Sequence, residues 1–218
     1  MSNPNLIKII KVLREEYKKY KKPIVTELSY RDDPFLVLIS CILSLRTKDK
    51  VTEEASLRLF SKAKTPKEIL KLNVKEIEKL IYPVGFYKTK ARRIKEICKT
   101  LIENYNGKVP DKFEELLKLK GVGKKTASIT MVYGFKNNDY IPVDVHVHVI
   151  SNRLGIVNTK NPDKTMEELM KKIPKKYWYE LNDLLVVFGQ NVCVTVSPFC
   201  SRCGIRKYCR RIGVRKSR

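Results

Sequence analysis

Four cysteines near the end of the sequence have the spacing of a metal-binding loop. They are Cys193, Cys200, Cys203 and Cys209. Four thiolates in the pattern C-x6-C-x2-C-x5-C bind either one tetrahedral zinc ion or a [4Fe–4S] cluster, and the ligand count does not distinguish the two. The other two cysteines, Cys41 and Cys98, have apolar neighbours and are expected to pack in a core. The sequence therefore predicts one metal or cluster site and two structural thiols.

A glycine turn between two apolar segments predicts a second site, within the stretch LLKLKGVGKKTASIT at residues 116–130. The turn and the residues that follow it are Gly121, Val122, Gly123, Lys124 and Lys125. Glycine permits positive φ and leaves backbone N–H groups uncovered, so such a turn can bind phosphate at the positive end of the next helix. Contacts of this kind hold a DNA backbone without reading its sequence. A G-x-G turn is also a common structural connection between helices.

The net charge of +23 favours a polyanionic partner, with nucleic acid as the first to consider. An alternative is that lysines are scattered over solvated faces, as in proteins from hot habitats. The longest apolar runs, such as residues 35–45, are shorter than the roughly 18 residues that a membrane span needs. The first residues lack a signal-peptide pattern. We therefore expect a cytoplasmic protein without a membrane partner.

Apolar residues recur at helical spacing along most of the chain, so the elements that position these sites are expected to be helices. We place them at residues 4–20, 34–45, 49–62, 66–72, 74–82, 87–105, 111–119, 124–134, 146–154, 163–172 and 175–189. The segment YIPVDVHVHVI, residues 140–150, conflicts with this scheme because its strict alternation is a strand signature. Asp144 within it is also a plausible helix N-cap. The basic tail, residues 210–218, is expected to be a frayed end.

Taken together, these motifs resemble the endonuclease III family of helix-hairpin-helix DNA glycosylases. The stretch LKGVGKKTA is similar to that family's L-P-G-V-G-[RK]-K-T-A, with Lys120 at the proline position. Val143-Asp144-Val145-His146 is similar to its V-D-x-H segment, although valine stands where threonine is usual. The cysteine spacing resembles the family's iron–sulfur loop, which favours a [4Fe–4S] cluster over zinc.

The resemblance covers nearly the whole chain, from about residue 25 to residue 212. It implies an all-α fold of two helical domains that flank a DNA-binding cleft. One would be a six-helix barrel with the hairpin at residues 26–137, and the other an iron–sulfur domain formed by residues 1–25 and 138–218. The implied partner is double-stranded DNA with damaged bases or abasic sites, bound by a monomer.

The family's nucleophile is the second lysine after the glycines, which maps to Lys125. An ordinary lysine is about 99.9% protonated at pH 7, so Lys125 would have to be activated by burial, by the helix start and by Lys124. Asp144, as an N-cap, would stabilise cationic charge on the sugar or assist proton transfer. The implied reaction is attack on C1′ that expels an oxidised pyrimidine such as thymine glycol, followed by β-elimination through a Schiff base.

Two further loops resemble those with which the family fills the gap left by a flipped nucleotide. The pattern S-x-Q-T-[KT]-D matches residues 44–49, with Arg46 in place of the glutamine. The pattern I-x-x-x-G-[LF]-[YW]-x-x-K-A matches residues 81–91 and puts Phe86 at the position of an apolar wedge. Core packing is the alternative for Phe86. A metal site at His146 and His148 is disfavoured, because residues two apart on a helix point to different faces.

Three rival functions remain open from the sequence. A mismatch or adenine glycosylase of the same superfamily would lack a lysine nucleophile at this position. An 8-oxoguanine glycosylase-lyase would use the lysine, yet such enzymes generally lack a four-cysteine loop. A non-catalytic iron–sulfur module that only binds DNA would not need both Lys125 and Asp144.

Overall fold

The computed structural model describes residues 4–20 and 32–218, and the predicted domain boundary at residues 25–26 lies outside them. Within these ranges every regular element is helical and there is no strand, which confirms the expected all-α class. The chain forms two compact units. We call Ile24–Asn137 the hairpin unit, and Met1–Pro23 together with Asn138–Arg218 the cysteine unit. In the described part of the chain, no helix has the length and apolarity needed to cross a membrane.

The helices match the expected segments to within a few residues. In chain order they are α1 (Pro4–Tyr17), α2 (Pro34–Ser44), α3 (Asp49–Lys62), α4 (Pro66–Lys71), α5 (Val74–Ile81), α6 (Tyr87–Tyr105), α7 (Phe113–Lys118), α8 (Lys124–Ile129), α9 (Val145–Leu154), α10 (Pro162–Lys172) and α11 (Trp178–Asn191). A π-helical turn continues α8 over Thr130–Gly134. Shorter 3-10 turns are Lys175–Tyr177, Cys200–Arg202 and Arg206–Tyr208.

Side-chain caps explain why several helices begin where they do. Asp33 accepts hydrogen bonds from two backbone N–H groups in the first turn of α2, at 2.8 and 3.1 Å. Thr65 with Glu68 and Asn73 with Glu76 form reciprocal capping boxes at the starts of α4 and α5. Each box satisfies N–H groups that a helix end leaves without a partner, so these starts are encoded locally.

The core of the hairpin unit is built around α2. All its residues from Phe35 to Leu43 are buried, and it packs against α3, α6, α8 and the π-helical turn. A helix that is apolar on every face must be surrounded by other elements. Cys41 of α2 and Cys98 of α6 are both buried in this core, as expected. The central helix thus holds α8, the helix that follows the glycine turn.

The segment with the strand signature is helical from Val145 onward, which confirms the helix expected at residues 146–154 over the strand that its alternation suggests. The Asp144 carboxylate accepts a hydrogen bond from the backbone N–H of Val147 at 2.9 Å and starts α9. Val147, Ile150 and Leu154 are then buried at helical spacing. This apolar face packs against α10 and α11. The stabilisation from its burial outweighs the β preference of the alternating valines.

The basic tail is packed against the cysteine loop, so the expectation of a frayed end was wrong. The Arg218 N–H donates to the carbonyl of Pro198 at 2.8 Å, and the Ser201 N–H donates to the carbonyl of Arg218 at 2.9 Å. The Arg218 guanidinium lies 3.9 Å from the centre of the Phe199 ring. These backbone bonds and this cation–π contact order a segment whose composition alone predicts disorder.

Candidate active site and cysteine loop

The glycine turn predicted to bind phosphate joins α7 to α8 in the hairpin unit. Gly121 has a φ of +79°, which glycine adopts without strain. Val122 is buried and anchors the turn on the core. Gly123 is the N-cap of α8, and a Cβ built on it would have no described atom within 4 Å. No described side chain caps the start of α8, and the space beside Gly123 is open, as a phosphate-binding turn requires.

Lys125 lies in the first turn of α8, and its side chain is half-buried, like that of Lys124. Burial raises the pKa of the Cys41 thiol in α2 to about 12, and the positive charge of Lys125 opposes part of that increase. The Lys125 ammonium therefore lies close enough to Cys41 for its charge to act on the thiol.

The two loops predicted to fill a DNA gap lie side by side in the hairpin unit. Phe86 is 63% exposed, which rules out core packing as the explanation for this residue. The Arg46 guanidinium carbon lies 5.8 Å from the centre of the Phe86 ring. Both residues have positive φ, 53° for Arg46 and 59° for Phe86, a conformation that is uncommon outside glycine. The fold therefore holds an exposed aromatic ring and a guanidinium together in strained loops.

Lys90 supports these loops, although the sequence motifs predicted no role for it. Lys90 of α6 is 5% exposed, and its ammonium donates to the Leu43 carbonyl at 2.8 Å, to the Leu45 carbonyl and to Thr47 Oγ1 at 3.1 Å. Thr47 Oγ1 in turn accepts a hydrogen bond from the Gly85 N–H at 3.1 Å. The signal that could have revealed Lys90 is its place on the apolar face of α6.

Gly85 is the point at which the two loops touch. A Cβ at this position would stand 2.6 Å from the carbonyl oxygen of Arg46, a distance that real Cβ atoms do not show. Glycine is therefore required for the loops to meet. The contact, together with the hydrogen bonds of Lys90 and Thr47, fixes Arg46 and Phe86 relative to one another.

We predict that Lys90→Met destabilises the protein by about 2–3 kcal/mol, because two carbonyl groups at the end of α2 and one hydroxyl lose their donor. Burial, with a contribution from Arg93, lowers the pKa of Lys90 to about 8. Between pH 8 and pH 10.5, the ordinary pKa of lysine, the unfolded wild-type chain binds more protons than the folded chain. The free energy of unfolding of the wild type therefore rises with pH in this window, so its difference from that of the Lys90→Met variant should grow. Chemical denaturation at several pH values measures both effects.

The matched control is Lys88→Met, an exposed lysine on the same helix, which should change the free energy of unfolding by less than about 0.5 kcal/mol. Equal stabilities for the Lys88 and Lys90 variants would contradict the structural role of Lys90.

Asp144 belongs to the cysteine unit, where the cap on α9 fixes one of its carboxylate oxygens. His146 and His148, on the same helix, contact different neighbours. His148 Nδ1 lies 2.7 Å from Thr165 Oγ1 of α10, whereas the His146 ring packs on Gly189 of α11, where a Cβ would come within 2.6 Å. The two imidazoles therefore contact different helices.

The four cysteines of the loop line one pocket in the cysteine unit. Apolar side chains, among them Ile150, Leu154 and Phe188, form much of its remaining wall. Across residues 4–20 and 32–218, no three Cys, His, Asp or Glu side chains converge as they would around a single metal ion. Four sulfurs that line one pocket provide the ligand number that a zinc ion or a [4Fe–4S] cluster needs.

Donors to the cysteine sulfurs also fit a bound metal cluster. Arg153 Nη1 lies 3.4 Å from Cys193 Sγ, and the Arg211 N–H lies 3.4 Å from Cys209 Sγ. Burial raises the pKa of the Cys203 thiol to about 11, so its thiolate form requires a positive ligand. Hydrogen bonds to sulfur are among the interactions that tune iron–sulfur centres. The residues present therefore fit the group that the spacing suggests.

Arg153 anchors the cysteine loop, a role that no sequence motif predicted. It lies in the last turn of α9 and is only 7% exposed. Its guanidinium also donates to the carbonyls of Cys193, Val194 and Thr195, at 3.3, 2.9 and 2.6 Å. The helix that Asp144 caps at its start thus holds the cysteine loop at its end.

Comparisons with known proteins identify the family. The HhH-GPD superfamily of base excision DNA repair proteins matches residues 39–175. Endonuclease III of Thermotoga maritima is 48% identical over 177 residues, which cover 81% of this chain and 83% of that protein. This chain belongs to the endonuclease III family. It is a DNA glycosylase of base excision repair.

Solved structures give the same result for the fold. A trapped covalent intermediate of endonuclease III with DNA, an estranged-adenine complex, has a TM-score of 0.77 and 37% identity, covering 82% of this chain and 84% of that one. A thermostable thymine-DNA glycosylase has a TM-score of 0.80 and 26% identity, covering 92% of this chain and 93% of that one.

Proposed function

We propose that this protein is a bifunctional DNA glycosylase and AP lyase that removes oxidised pyrimidines, such as thymine glycol, from duplex DNA. The observation that carries the proposal is the position of Lys125, directly after a glycine turn that leaves open space beside Gly123 at the helix start. The similarity to an endonuclease III trapped covalently on DNA supports a nucleophile at this position.

In the proposed reaction, the Lys125 amine attacks C1′ of the damaged nucleotide as a free base. A C1′–N bond forms as the glycosidic bond breaks, and the base leaves with the bonding electrons and takes up a proton. The lysine nitrogen then loses a proton and the C1′–O4′ bond of the sugar ring breaks, with protonation of O4′, to give the Schiff base. Loss of a proton from the sugar then expels the 3′ phosphate by β-elimination. Asp144 stabilises positive charge that develops on the sugar or assists these proton transfers.

The remaining residues bind and open the duplex in this proposal. Backbone N–H groups at the start of α8 hold a phosphate, supported by the partial positive charge of the helix start. Arg46 and Phe86 enter the gap left by the extruded nucleotide, since one can donate hydrogen bonds to the orphaned base and the other can unstack a base step. Their exposure and mutual contact support this role.

We further propose that Cys193, Cys200, Cys203 and Cys209 hold a [4Fe–4S] cluster. When bound, the cluster supplies a structural cross-link for the loop and takes no part in base release. Arg153 and backbone N–H groups orient the cysteine sulfurs. Positive charge for DNA phosphates comes from Arg202, Arg206 and Lys207 in the same loop. We expect the protein to act as a monomer.

A panel of duplexes tests this function. Thymine glycol and abasic sites should be cleaved, and borohydride should trap a covalent complex on both, because it reduces the Schiff base. Undamaged duplex should be bound and left intact. Strand cleavage without any trapping would contradict the lysine mechanism, and binding of every duplex without cleavage would indicate a non-catalytic module.

Mismatch repair is the second candidate, favoured by the similarity to a thymine-DNA glycosylase. A G·T mismatch in the same panel distinguishes it. Release of thymine from this duplex without strand scission, together with inactivity on thymine glycol, would support the second function. The presence of Lys125 favours the first.

A further inference from the structure

Among the described residues, the cleft at the two gap-filling loops is lined by three cations and by no carboxylate. It is formed by Leu45, Arg46, Phe86, Thr89, Lys90 and Arg93. Cations that share a cleft repel one another, and the charge of Arg93 helps to lower the pKa of Lys90. An arrangement of this kind is stabilised by an anion that enters the cleft.

The three cations differ in their freedom to bind a ligand. The Lys90 ammonium is buried and already donates to three oxygen atoms. The Arg46 guanidinium lies over the Phe86 ring at the exposed edge. Arg93 is half-buried, and no hydrogen bond or ion pair joins its guanidinium to any residue in the described ranges. Its five N–H donors are therefore the ones available for an anion.

The glycine turn holds the Arg93 side chain in place. A Cβ at Gly121 would stand 2.5 Å from Arg93 Cδ and Nε and 2.6 Å from Cζ, so the guanidinium lies directly against the turn. An ion pair between Lys120 and Glu96, at 3.0 Å, also ties the turn to α6. Arg93 thus belongs to two surfaces at once, the phosphate-binding turn and the cleft of the gap-filling loops.

We propose that Arg93 binds a DNA phosphodiester adjacent to the one held by the glycine turn, and so extends the backbone contact from the turn to the gap-filling loops. The inference rests on the proposed function. A guanidinium matches a phosphate through two parallel hydrogen bonds, and it contributes affinity without reading sequence. Contact between Arg93 and Gly121 places this donor beside the turn, where a bound DNA strand presents its next phosphate.

The test compares Arg93→Gln with Arg92→Gln, which removes the same charge one residue earlier on α6 from an exposed side chain outside the cleft. Fluorescence anisotropy with one duplex sequence, undamaged or with an abasic analogue, gives affinity from low to high salt. Loss of one phosphate contact should reduce the slope of log K against log salt by about 0.9 in the Arg93 variant. Affinity should fall by about tenfold at low salt, equally for both duplexes.

Arg92→Gln should leave the salt slope within about 0.3 of wild type, since only the long-range charge changes. Arg93→Lys keeps the charge without the paired donors and should recover the slope but only part of the affinity. Equal slopes for the Arg92 and Arg93 glutamine variants would overturn the inference. So would an effect confined to the damaged duplex, because it would indicate contact with a base. Wild-type protein that fails to bind DNA would instead overturn the proposed function.

Discussion

Replacing Lys125 with glutamine abolishes base release and strand scission, with a loss of at least about a thousandfold in the single-turnover rate. Glutamine has no amine that can attack C1′ or form a Schiff base, so borohydride traps no complex. Affinity for an undamaged duplex falls by less than about fivefold, because backbone N–H groups of the turn and other cations carry most of the phosphate contacts. Single-turnover cleavage of a thymine glycol duplex and anisotropy measure these two quantities.

The control for this experiment is Lys118→Gln, an exposed lysine of α7 whose ion pair with Glu115 is a surface contact. It changes the net charge by the same amount and should cleave and trap at the wild-type rate, since surface pairs contribute little to stability. Cleavage by the Lys125 variant at the rate of this control would rule out Lys125 as the nucleophile. Trapping on a different lysine would lead to the same conclusion.

Replacing Cys203 with alanine removes the visible absorbance of the purified protein and lowers its iron content from about four atoms per chain to well below that value. The cysteine loop then loses the group that links four separated sulfurs, and the free energy of unfolding falls by several kcal/mol. Absorption spectra, iron analysis and denaturation of the wild-type protein and the variant measure the effect.

The matched variant is Cys98→Ala, which removes a thiol from the core of the hairpin unit. It should keep the full colour and iron content and should lose only about 1 kcal/mol of stability. A wild-type protein that is colourless and carries one zinc ion would contradict the cluster. The same conclusion would follow if the Cys98 and Cys203 variants lost iron equally.

The candidate site depends on how each unit supports its own exposed groups. In the hairpin unit, the apolar helix α2 holds α8, and Lys90 binds the carbonyls at the end of α2. In the cysteine unit, α9 has Asp144 at its start and Arg153 at its end. Changes at Lys90 or Arg153 should therefore affect the loops they hold before they affect the helices themselves.

Local patterns in the sequence were sufficient to predict most of the helices. Amphipathic periods, prolines in first turns and capping pairs such as Thr65 with Glu68 depend only on neighbouring residues, so they can be identified along the chain. The cysteine spacing and the motif around Lys125 are also local. The family assignment followed from these motifs and agrees with the comparisons. The roles of Lys125, Asp144 and the four cysteines remain proposals.

Contacts between distant residues could be found only in the folded chain. Lys90 binds a carbonyl 47 residues away, and Arg153 binds one 40 residues away, so no window of sequence contains either pair. The exposure of Phe86 and the position of Arg93 against Gly121 likewise depend on how helices pack. The alternating segment at residues 140–150 shows a limit of periodicity. Its alternation is typical of a strand, yet residues from Val145 onward form a helix that buries one face. Periodicity reports which face of an element is apolar, whereas partners for charged side chains are determined by packing in three dimensions.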